Sequence, residues 1–240
     1  MEFSHEELLE TVERLVAGLL DRAGVTAPPV DARHLAEHHL GIPIAWVDDA
    51  ETDDDRGRRR PRASRGRGIV LTPNMSEEQQ QRAAATSIAH HLLPNLYHKL
   101  GLDDGRATKT LAAHLRTLTA TRILIPTRLL RSALRECKWD IAALHHRFHT
   151  ASMEAVALRL LDLEEHCVIA MVDDGVVASR RSNFFPATRK LEAAELECVE
   201  RITTLDQPHH SRRDSWRAWG WPVPNRPFRR ILLRAVRDDV

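Results

Sequence analysis

The residues from His90 to Pro94 are the ones whose types and spacing bear most directly on chemistry. Two histidines one turn apart on a helix, with a glutamate beside the first, hold and use a catalytic zinc. The histidines are ligands, and the glutamate takes the proton of the attacking water. Here the five positions read His90-His91-Leu92-Leu93-Pro94. A ligand type survives at His90. The base position carries His91, and the second ligand position carries Pro94, which cannot bind a metal and whose ring would clash with the carbonyl of His90 four residues back. A histidine can act as a base near neutral pH, yet without a metal to acidify water His91 has little to activate. His98 could join His90 and His91 as a replacement ligand. It stands two turns further on, about 10–12 Å of rise, and would need a bend at Pro94.

The element that carries these residues is legible. Ser76 with Gln79 has the spacing of a capping box, and Ile88, Leu92 and Leu93 follow at helical spacing, so a helix is expected over Ser76 to Leu93. A second capping box at Ser4 and Glu7 opens an amphipathic helix through Leu8, Val12, Leu15 and Leu19, ending near Gly24. Asp31 is expected to cap a helix through His39 that Gly41 closes. Ile42 to Val47 and Gly68 to Leu71 are strand candidates. Further helices are expected at Thr108 to Ile125, Thr127 to Glu136, Asp140 to His149 and Ser152 to Leu161. After Leu163 the period changes. Cys167 to Val172 and Val176 to Arg180 flank Asp173-Asp174-Gly175 as a hairpin. A helix near Leu191 to Leu205, a polar loop over Asp206 to Asp214, a tryptophan-rich stretch broken by Pro222-Val223-Pro224 and a last strand over Phe228 to Val236 complete the chain.

Four ordered landmarks give a resemblance. They are Pro29-Val30-Asp31 leading to Leu40-Gly41-Ile42, then Ile69 to Asn74 before the capped helix with Ser87-Ile88-Ala89-His90, then Ala113 to Pro126 (AHLRTLTATRILIP), then the helix pair Asp140 to Leu161. Together, over roughly Pro28 to Leu163, they resemble the ImmA/IrrE family of zinc metallo-endopeptidases. The resemblance implies an α/β (α+β) fold, a mostly helical domain with a small sheet, joined to a small mixed C-terminal module. It implies His90 as the retained metal ligand, His91 at the general-base position, and Pro94 and Ala113 at the other two ligand positions. His114 adjoins Ala113 but projects about 100° away on an ideal helix. The implied division is an N-terminal helix at 1–27, the family domain at 28–163 and a C-terminal module at 164–240.

Composition bounds the rest. The chain has 240 residues, 42% of them hydrophobic, and a formal net charge of +1. No apolar run approaches the ~18 residues that span a membrane, and the acidic start MEFSHEELLE is unlike a signal peptide. Cys137, Cys167 and Cys198 form no metal knuckle or redox pair, which fits a cytoplasmic protein with reduced thiols. Charge is concentrated in one place: Asp48 to Asp55 holds six acidic residues, and Arg56 to Arg67 holds seven arginines in twelve positions. Arginine clusters neutralise phosphates; glycines, a proline and the adjoining acidic block suit a charged loop equally.

The leading expectation is a regulatory, peptide- or protein-binding pseudo-peptidase whose partner is a protein or peptide, with a transcriptional repressor as the candidate the resemblance supplies. No cofactor is favoured, and zinc is the one candidate. Two alternatives stand beside it. One is an active zinc metallo-endopeptidase with a rearranged histidine site. The other is a nucleic-acid-binding regulator using Arg56 to Arg67 and the helix pair, a reading the lack of interleaved aromatics disfavours.

Overall fold

The computed structural model describes residues 4–47, 68–102, 108–163 and 166–238. The acidic and arginine-rich blocks from Asp48 to Arg67 lie outside the described residues. The fold is α+β. The chain divides into two compact units, Met1–Trp139 with His146–Ser152, and Asp140–His145 with Met153–Val240.

In the first unit, α1 (His5–Arg22) starts at the Ser4–Glu7 capping box and buries Leu8, Val12, Leu15, Val16, Leu19 and Leu20 along one stripe. It is tied to α4 (Lys109–Leu124) by a part-buried ion pair, Arg122 Nε to Glu13 Oε1 at 2.8 Å, an oxygen that also accepts from the Thr127 hydroxyl. Asp31 caps α2 (Ala32–His34), accepting from the amides of Arg33 and His34 at 3.0 Å each, and the helix runs on into a π-type turn, Leu35–His39. Gly41, at φ +62°, lets the chain leave that turn. Strands β1 (Ile44–Trp46) and β2 (Ile69–Leu71) then pair in parallel.

Helix α3 (Glu77–Lys99) opens at the Ser76–Gln79 capping box. It does not stop at Leu93, as the sequence led us to expect, but continues through Pro94 for another turn and a half. The apolar stripe explains this. Leu92, Leu93, Leu96 and Tyr97 are all buried while Pro94 is exposed, so packing on both sides of the proline outweighs the one hydrogen bond it removes. The α5 helix (Thr127–Cys137) completes the unit, burying Leu129, Leu130, Ala133 and Leu134.

The second unit contains α7 (Met153–Arg159, extended by a 3₁₀ turn Leu160–Asp162), while α6 (Ile141–Arg147) begins in it. Its centre is a five-stranded antiparallel sheet of order β4-β3-β7-β6-β5, with β3 Val168–Asp173, β4 Val176–Ser182, β5 His209–Arg213, β6 Trp216–Val223 and β7 Arg230–Arg237. The β3–β4 turn has positive φ at both Asp174 (46°) and Gly175 (82°), as a two-residue hairpin demands. Helix α8 (Ala193–Leu205) covers one face, where Ala194, Cys198 and Ile202 meet Val168, Ala170, Leu233 and Ala235. A fully buried pair joins β4 to α8, Arg180 Nη2 to Glu195 Oε2 at 2.9 Å. Burial of this kind is costly to break from one side.

The expected polar loop over Asp206 to Asp214 is a correction. His209–Arg213 is a strand, paired from His209↔Gly220 to Arg213↔Trp216. Ser211, buried on β5, donates to Glu197 Oε2 at 2.7 Å, which the polar composition concealed. The tryptophan-rich stretch is also a strand rather than a break. Pro222 is tolerated because β5 ends opposite Gly220, leaving Pro222 with a neighbour only on the β7 side.

Candidate functional site

Helix α3 is held against α2 by the side chains that follow its cap. Gln81, almost wholly buried, accepts from the Ala32 amide at 2.7 Å and donates through Nε2 to Asp31 Oδ1 at 3.0 Å. Gln80 accepts from Arg33 at 2.5 Å. Burial works to raise the Asp31 pKa, but the His34 amide, the Gln81 side chain, the Arg33 charge and the Arg33 amide outweigh it and hold the carboxyl below its usual range. The Pro-Val-Asp signature is therefore a fastening. Val30 is fully buried, and Asp31 joins the start of one helix to the flank of another.

With α3 so placed, its other side forms one wall of a cleft of about 920 Å³. Gln79, Arg82, Ala83, Thr86, Ser87 and His90 line it, recurring at three- and four-residue intervals along one helix face. Ile69, Val70 and Thr72 of β2 and its sequel form the opposite wall, and Arg116 of α4 contributes a side chain. The Ile69 amide donates to the Pro43 carbonyl at 2.8 Å, and the Leu71 carbonyl accepts from the Val47 amide at 2.9 Å. Neighbouring residues in a strand present their backbone groups to opposite sides. The Val70 N–H and C=O therefore face away from β1, and among the described residues no second strand pairs with β2.

The structure brings only part of the expected site together. His90 lines the cleft and is exposed. His91 and Pro94 are exposed but are not among the lining residues. Ala113, also exposed, stands one turn before Arg116 on α4. His98 and His114 are exposed as well. Among the described residues no three His, Cys, Asp or Glu side chains stand where they could hold one metal ion. A zinc site needs three or four N, O or S donors, and the side chains at the ligand positions the resemblance implies supply one. The described residues do not fit zinc.

The cleft-facing arginines Arg82 and Arg116 were not singled out from the sequence. The signal for Arg82 was there, since it lies on the helix stripe that leads to His90. Among the described residues no lining side chain is a carboxylate.

The segment 39–161 matches the model of the IrrE N-terminal-like domain, peptidase M78. The chain belongs to this family. The match takes in His90, Pro94, Ala113 and the helix pair. A Mycobacterium tuberculosis transcriptional regulator of known structure is similar in fold, with a TM-score of 0.68 at 16% identity, covering 97% of this chain and 80% of that one. No curated protein matches the chain. In the IrrE-like helix pair, no residue from Met153 to Leu161 is fully exposed. Helix α7 thus offers no free face for reading bases in a groove. No described helix is long and apolar enough to cross a membrane.

Proposed function

We propose that this IrrE-like protein is a regulatory pseudo-peptidase that binds a protein or peptide segment in the α3–β2 cleft without hydrolysing it. One observation carries the reading. Of the three ligand positions the resemblance implies, Pro94 and Ala113 are hydrocarbon, while the cleft beside His90 has, among the described residues, an unpaired strand edge opposite a polar helix face. An edge of that kind is what an extended peptide adds to, because main-chain hydrogen bonds supply affinity whatever the side chains. The water-activating carboxylate of the family has become His91, so the chemistry is lost in two parts, metal and base. The fold it shares with a protein titled a transcriptional regulator supports a regulatory setting, with a repressor as partner and the cytoplasm as location. In this reading residues 28–163 act as the binding domain and 164–240 as an appended module. Nucleic acid is the weaker partner, because α7 presents no exposed reading face.

Incubating the full chain with a proteome-derived peptide library tests this. Peptides should be retained and recovered intact by mass spectrometry. Hydrolysis that disappears both on chelation and in His90→Ala would show an active metallo-endopeptidase instead.

A further inference from the structure

The charge of the cleft is one-sided. Arg82 and Arg116 both line it, and neither side chain has an ion-pair or hydrogen-bond partner among the described residues, whereas most arginines of the second unit's sheet are paired with carboxylates. His90 adds a third nitrogen group, and among the described residues no carboxylate lines the cleft beside them. Unpaired guanidinium groups in a concave wall of lowered dielectric create a field that selects anions. Among the described residues the cleft is lined by no Phe, Tyr or Trp on which a base could stack. A nucleic-acid backbone also lacks the alternating donors and acceptors that would pair with Val70.

We infer that the cleft recognises an extended peptide through an acidic side chain, with the peptide backbone pairing to the free N–H and C=O of Val70 and its carboxylate held by Arg82 and Arg116. The inference rests on the cleft's being a peptide-binding site, and adds to it the chemistry of the occupant. Arg82 comes from α3 and Arg116 from α4, so the acidic residue is read by two elements at once. The strand edge supplies sequence-independent affinity and the arginine pair supplies choice.

The test uses the full-length protein and a randomised peptide library with one central position fixed as Asp, Asn or Lys. The Asp library should bind about tenfold or more tightly than the Asn library, as charge-assisted pairing requires, with the Lys library weakest. Arg82→Gln and Arg116→Gln, which remove no ion pair or side-chain hydrogen bond among the described residues, should each erase most of the Asp preference while thermal stability stays unchanged. Slowed hydrogen exchange at the Val70 amide on binding reports strand pairing separately. Equal affinity for the Asp and Asn libraries with Val70 protected would overturn the acidic preference and leave the peptide-binding reading standing. Absence of binding by every library, with Val70 exchange unchanged, would overturn both. Displacement of bound peptide by duplex DNA that depends on Arg82 and Arg116 would show that the arginines serve phosphate instead.

Discussion

Asp31 shows how a single side chain sets the geometry of this site. Its carboxylate accepts from the Arg33 and His34 amides and from Gln81 of α3. Asp31→Ala removes a helix cap and leaves the buried Gln81 amide short of an acceptor. The expected loss is about 1–3 kcal/mol, read by urea unfolding. The effect should depend on pH. Because the folded pKa is depressed, the contribution of Asp31 is fully present above the unfolded value of 3.8 and is lost as pH falls through the folded one. The gap between wild type and Asp31→Ala should therefore be constant near neutrality and narrow below about pH 4. The same scale holds what the residues could and could not tell. The cap at Asp31 and the loss of a donor at Pro94 follow from residue type alone. That Gln81 is the partner of Asp31 depends on a contact fifty residues away, and a glutamine in a helix gives no local sign of it.

At the scale of elements, α3 is where sequence and structure part most usefully. Both capping boxes form as their spacing implies. The helix end does not, because proline's local penalty competes with burial of Leu96 and Tyr97, which local sequence does not register. Pro94→Ala should return an amide to the His90 carbonyl and stabilise the protein by about 1–3 kcal/mol, measured as a rise in the urea midpoint with unchanged slope. A fall would show that the proline is packed into a conformation alanine cannot keep. The pairing of α3 with α4 gives a second prediction. His91→Glu, Pro94→His and Ala113→Glu together rebuild the family's base and ligands. The triple variant should gain zinc affinity, and zinc should raise its Tm, since a ligand of the folded state alone stabilises that state. Hydrolysis need not follow, because groups around the ligands orient them too. If the folded variant gains no zinc affinity, those positions do not converge in space. The β5–β6 hairpin was harder to read than α3. Its strands are polar on the outside and proline-interrupted, so period and composition both pointed to loop.

For the whole molecule, the legible part was the order of landmarks, from which the family could be read. The family fold is maintained by parts remote from the chemistry: Val30 and Asp31 at the start of α2, the Arg122–Glu13 pair between α1 and α4, and the buried faces of α3 and α7. What sequence order could not supply was the character of the cleft, because Arg82, His90, Arg116 and the Val70 edge come from three separate elements. The central claim is that this frame persists without its zinc. The most direct test is the zinc content of the full-length protein, purified without chelators or metal-affinity resin and measured by mass spectrometry of the element. Well under one zinc per chain is the expected result, unchanged in His90→Ala. One zinc per chain that disappears in His90→Ala or His91→Ala would contradict it and establish a rearranged, metal-bearing site.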